Sequence, residues 1–163
     1  MYDRRMFAAT VTIDEQNGAS PGSATANITN SNMGNTDAAN LDPVAYPVTP
    51  GNRTYTKYQR FNVTAMGGSS KIDNLKVWRT GALGGSATHL TNARLTVYGG
   101  AASYATPVTT SVSGVDQTMP SATPASANLG IAGSLTGSLT TTGYSDYLIH
   151  QIFTNAADVA GST

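Results

Sequence analysis

Thr54-Tyr55-Thr56-Lys57-Tyr58-Gln59-Arg60-Phe61-Asn62-Val63-Thr64 is the stretch that decides the fold. Aromatic and β-branched residues alternate in it with polar ones. That is the spacing of a strand with one face on a core, and Phe61 and Val63 fall on that face together. Gly67-Gly68-Ser69-Ser70 reads as a turn, after which Ile72-Asp73-Asn74-Leu75-Lys76-Val77-Trp78-Arg79 resumes the alternation with Leu75 and Val77 inward. The pair predicts an antiparallel hairpin. Ile72 and Trp78 have the opposite parity, so either a bulge shifts the register or both faces of the second strand are covered.

The same period recurs on either side. Phe7, Ala9, Val11 and Ile13 share a face and predict an opening strand, which Asp14 and Glu15 are expected to terminate. Residues 14–50 are rich in Asn, Gly, Ser, Thr, Ala and Pro and read as a long loop or arm. Ala93 to Tyr98 alternates again, Tyr104 to Val112 predicts an edge strand broken by Pro107, and residues 113–128 form a proline-punctuated loop. Leu129 to Leu139 allows a glycine-rich strand pair. Tyr144 to Phe153 carries apolar residues on both parities and predicts a buried strand. No segment shows helical apolar spacing over more than about ten residues. The expected fold is all-β: a two-sheet antiparallel sandwich of jelly-roll or immunoglobulin-like kind, with long loops and an N-terminal arm, in one domain spanning 1–163.

Leu, Ile, Val and Phe make up only 28 of 163 residues, about 17%, but the formal net charge is zero, which argues for a folded chain with a thin core rather than a self-repelling disordered one. No run of 18 apolar residues exists and the start lacks the apolar core of a secretion signal, so no membrane insertion is expected. There is no cysteine, hence no disulfide and no thiolate metal site. Sequons at Asn27, Asn52 and Asn62 are of a kind expected by chance in a chain rich in Asn and Thr.

Groups able to do chemistry are scarce: two histidines, His89 and His150, and one glutamate, Glu15. Asp146 and His150 lie about 13 Å apart along one strand, too far for the hydrogen bond of a catalytic triad. His150 reads as a satisfied strand residue and His89 as a solvated turn residue. Adjacent Asp14 and Glu15 point to opposite faces, unlike a glycosidase pair. Asp37 and Asp42 could join loop carbonyls around a calcium ion, although no EF-hand spacing supports it. The sequence therefore predicts no catalytic residue, no cofactor and no bound metal.

Charge is more informative. Seven of nine basic residues lie between positions 53 and 94, where Asp73 is the only acid. If parity turns Lys57, Lys76 and Arg79 outward, they could meet an acidic surface of a neighbouring subunit, while overall neutrality argues against nucleic acid. Arg4, Arg5, Met6 and Phe7 form the expected contact of an N-terminal arm. Trp78, Tyr55 and Tyr58 together could make a stacking platform for a carbohydrate.

Tyr55-Thr56-Lys57-Tyr58, Lys71 to Gly81, Tyr104 with Thr106-Pro107-Val108, and Ser145 to Gln151 occur in an order that resembles small β-sandwich virion proteins of tailed bacteriophages. The resemblance covers most of residues 10 to 155. It implies a non-enzymatic structural protein of the virus particle, foremost a capsid decoration or cement protein. Such a protein would be made in the host cytoplasm and carried on the capsid surface as a homo-oligomer bound to the major capsid protein or other virion proteins. A head-tail connector or tail component is the alternative it leaves open, and a carbohydrate-binding module is a further one.

Overall fold

A computed structural model describes residues 8–95, 98 and 117–158 and contains strands and turns but no helix among them. The strands are β1 (Thr10–Asn17), β2 (Ser23–Thr25), β3 (Lys57–Ala65), β4 (Ile72–Asp73), β5 (Thr88–Leu95), β6 (Gln117–Thr118), β7 (Ser138–Leu139), β8 (Gly143–Tyr144) and β9 (Tyr147–Phe153). A seven-stranded antiparallel sheet runs in the order β2-β1-β3-β9-β5-β6, with β8 also paired to β3, and β4 and β7 form a second, two-stranded sheet. The all-β expectation therefore holds.

The central stretch is a strand, as its alternation predicts, and it is more deeply placed than one buried face requires: every residue from Arg53 to Gln59 is buried. The reason is topological. β3 has β1 on one edge and, as far as Val63, β9 and β8 on the other, so its first seven residues have no solvent edge. One face of this centre carries Tyr58, Tyr147 and Ile149, and Tyr58 meets the Tyr98 ring edge-on at 4.9 Å. The opposite face carries Lys57, Gln59, Phe61 and Val63 beside Ile13 and Glu15 of β1 and Leu148 and His150 of β9.

The predicted hairpin is corrected. After the turn only Ile72 and Asp73 pair in a sheet, and their partners are Leu139 and Ser138 rather than β3. Residues 74–80 are held by isolated bonds instead: Leu75 O accepts from Asn128 N and Leu129 N, Arg79 N donates to Pro120 O, and between them the Asn128 side chain accepts from Val77 N and donates to Val77 O, both at 2.7 Å. The segment 74–80 thereby crosses the Gln59 face as a cover, with Val77 and Leu129 buried beneath it. Of the glycine-rich stretch 129–139, the end pairs with β4 and Ile131 bridges to Ser134.

Asp14 and Glu15 do not end the first strand. Both lie inside β1 and both are buried, because β1 pairs with β3 as far as Gln16. Of residues 14–50, read as loop or arm, 14–17 complete β1 and 23–25 form β2 paired to it, while 26–50 contain no strand but fold back onto the sheet. Ile28 N donates to Ile13 O, Tyr55 N to Gly34 O, and Leu41 is buried. The edge strand expected at 104–112 and the arm residues Arg4, Arg5, Met6 and Phe7 lie outside the described residues.

β8 and β9 run along the same edge of β3 with one extra residue between them. Gln59 pairs with Leu148 and Asn62 with Tyr144, so two residues of β3 oppose three of the C-terminal strand. Ser145 fills the break. Its N–H donates to Phe61 O at 3.0 Å, and its hydroxyl accepts from Phe61 N at 2.9 Å.

Candidate functional site

The most concentrated polar structure lies in the centre of the sheet, on the Gln59 face. Pairing aligns Glu15 of β1 with Gln59 of β3, and Lys57 of β3 with His150 of β9, while β5 brings His89 opposite Ile152 beside it. The Lys57 ammonium reaches Glu15 Oε1 at 2.7 Å, and both side chains are excluded from water. It also donates to Ala38 O, and Asn17 Nδ2 donates to Glu15 Oε1 at 2.9 Å. A desolvated ion pair persists only where such further bonds satisfy its remaining donors and acceptors.

From Glu15 the chain of bonds has one possible direction. A carboxylate only accepts, so Gln59 turns its amide nitrogen to Glu15 Oε2 at 2.7 Å and presents its oxygen on the other side. That oxygen accepts from His150 Nε2 at 3.1 Å and from the Ser31 hydroxyl at 3.3 Å. A neutral His150 then keeps its lone pair on Nδ1, which accepts from His89 Nε2 at 2.8 Å. Both rings are held neutral. Burial brings the His89 imidazole down to about 4, helped by the Arg79 guanidinium, and burial, then His89 and Lys57, hold His150 well below the usual histidine range.

Above this ladder lies a cavity of about 360 Å³. Gln59, His89 and His150 form its polar floor. Ile13, Phe61, Leu148, Val77, Met119 and Leu129 supply apolar walls, and the exposed Trp78, Thr80 and Ser31 mark its mouth.

Of the expected contact residues, Lys57 is corrected: it is 1% exposed and neutralised by Glu15, so it offers no surface charge. Lys57 has the parity of Phe61 and Val63, so it lies on the inward face, where Glu15 and the Ala38 carbonyl of the covering loop receive its charge. Lys76 donates to Ala125 O at 3.0 Å and Arg79 to Gly81 O; both stay partly exposed on the cover segment. Other members of the basic stretch are also engaged, Arg53 over the Phe153 ring at 4.5 Å and Arg60 over Tyr144 at 3.7 Å. His89 is not a solvated turn residue but a half-buried strand residue. Tyr55 and Tyr58 are buried, so they do not join Trp78 in an open stacking platform.

Asp146 turns away from His150, its two oxygens accepting from Gly133 N at 3.1 and 3.0 Å. Asp37 accepts from Asn17 and from Gly18 N, and Asp42 from Val44 N, so the two loop acids serve separate turns. Among the described residues no three His, Cys, Asp or Glu side chains converge as metal ligands would. The ladder itself was missed by sequence reasoning. Its one available signal was the run of polar parity-mates Lys57, Gln59 and His150 in strands otherwise marked as central.

Compared with known proteins, the chain matches no family model, no curated protein and no solved structure.

Proposed function

We propose that the chain is a non-enzymatic structural protein that works through contact surfaces, in the setting its sequence resemblance implies: a virus particle, as a capsid decoration protein of a phage head. On this view the two sheets, with the cover segment and the 119–139 region, act as the two layers of a sandwich, and its loops meet the neighbours.

One observation supports contact rather than chemistry. The buried ionisable groups of the sheet's centre hold one another, whereas large apolar side chains stand in solvent, among them Val44 at 86% and Tyr46 at 45% exposure. These two are presented by a pinned turn. Asp42 accepts from Val44 N through its side chain at 2.9 Å and from Tyr46 N through its carbonyl at 3.1 Å, while Tyr46 O accepts from Asn35 N at 3.0 Å. A turn ordered in advance loses little entropy on docking, which favours a contact role.

The test is occupancy on purified virions. On the order of hundreds of copies per particle is expected for decoration of a symmetric shell, and about six or twelve for a connector or tail component. Absence from particles, or a catalytic turnover abolished by Glu15→Gln, would discard the proposal.

A further inference from the structure

The cavity over the ladder has a use that a contact protein does not require. Its volume of about 360 Å³ is within the range of small-molecule sites. At ~30 Å³ per water-sized atom it holds roughly a dozen non-hydrogen atoms. Six apolar side chains wall it, so a sugar, with a hydroxyl on nearly every carbon, would leave most of its polar groups unpaired there. An aromatic ring would not.

The polar floor sets the second requirement. Because Glu15 fixes the direction of every bond after it, His89 gives its only N–H to His150. The remaining ring nitrogen, Nδ1, is then a bare acceptor, and it has no hydrogen bond to the protein among the described residues. The histidine cannot turn donor at neutral pH without breaking the ladder behind it. A ligand at this floor must therefore bring the proton.

We propose that the cavity binds a small aromatic molecule carrying one hydrogen-bond donor, a phenol being the simplest, with the ring between Phe61, Leu129 and Trp78 and the hydroxyl donating to His89 Nδ1. Phenols are selected over isosteric ethers. An ether oxygen would face a nitrogen lone pair, and the desolvated acceptor would stay unpaired.

The two isomers p-cresol and anisole, equal in volume and differing in the donor, provide the probe. In a nitrogen-15 titration of the intact protein, p-cresol should move the His89 Nδ1 resonance upfield in a saturable way. Anisole and toluene should bind about fivefold or more weakly, the effect of one net hydrogen bond. Leu129→Trp, which fills the cavity, should abolish the response while the remaining spectrum stays dispersed. If that variant does not fold, the preference for cresol over anisole in the unaltered protein still decides. Equal affinity for the two isomers would overturn the proposal, as would cresol binding that survives in a folded Leu129→Trp protein. Saturable binding of a tyrosine-bearing peptide with none of cresol would overturn it in favour of a protein partner.

Discussion

His89 Nε2 and His150 Nδ1 meet at 2.8 Å across two neighbouring strands, 61 residues apart in the chain. A proton added at the free Nδ1 of His89 would leave this bond intact but would place a cation in a half-buried site facing the Arg79 guanidinium, which burial and that charge oppose. Acid should therefore unfold the protein earlier than its carboxylates would. The unfolded His89 titrates near 6.5 and the folded one at about 4, so the unfolded chain binds more protons between these values. Stability is complete above pH 6.5 and declines as pH falls toward 4. The His89 contribution to that decline is about 2 kcal/mol after allowance for its partial exposure. Urea midpoints from pH 7.5 to 4 should fall, and should fall less in His89→Gln. A flat profile in the unaltered protein would contradict the neutral pair.

The ion pair beneath the histidines should behave as a buried one. Glu15→Gln leaves the Lys57 ammonium without a counter-charge at 1% exposure and should destabilise by roughly 3–5 kcal/mol. Lys57→Met strands the carboxylate with Gln59 and Asn17 as its donors and should also destabilise. The double substitution should lose clearly less than the two single losses together, because neither charge then remains buried alone. Additive urea midpoints across the cycle would show that the two side chains do not interact.

How far the sequence reveals this architecture depends on what holds each segment. Val63, Tyr147 and Ile149 are buried where the strand pattern puts them, because strand pairing is periodic and leaves a period-2 record, whereas Tyr58, of the other parity from Val63, is buried because both faces of the central strand are covered. Val77 is also buried as expected, but its partner is the Asn128 side chain, and a single amide 51 positions away leaves no periodic trace. Lys57 shows the converse. Its parity is that of Phe61 and Val63, the inward face, and only its charge suggests a surface position; the irregular loop folding over it supplies the Ala38 carbonyl that its buried ammonium needs. The ladder was unreadable for a related reason: it joins β1, β3, β9 and β5, an order that crosses the sequence and emerges only from the topology.

The Asn128 clamp makes a local prediction. Asn128→Ala removes the donor and acceptor that Val77 uses, leaving its backbone N–H and C=O unpaired next to the cavity. The expected loss is about 2 kcal/mol, together with a red shift of the fluorescence of Trp78, the chain's one tryptophan, as residues 74–80 loosen. Asn128→Asp keeps the acceptor geometry but loses the donor, and should fall between. Unchanged emission in Asn128→Ala would mean that the cover segment is held by other contacts.

The exposed turn at Val44 separates stability from assembly. Val44→Asp adds a charge to a side chain that is 86% exposed, so the melting midpoint should move by less than about 0.5 kcal/mol equivalent. Association should respond differently. A carboxylate at the centre of an apolar contact is desolvated without a partner, and occupancy on particles should drop tenfold or more, following ~1.4 kcal/mol or more of lost contact. Asp42→Ala provides the complementary case, since it leaves Val44 and Tyr46 in place but removes the side-chain acceptor that orders the turn. It should weaken association by a smaller factor, through the entropy of a looser loop. Sedimentation of particles mixed with each variant, with thermal melts alongside, reads both quantities. Full occupancy with Val44→Asp would place the contact surface elsewhere on the molecule.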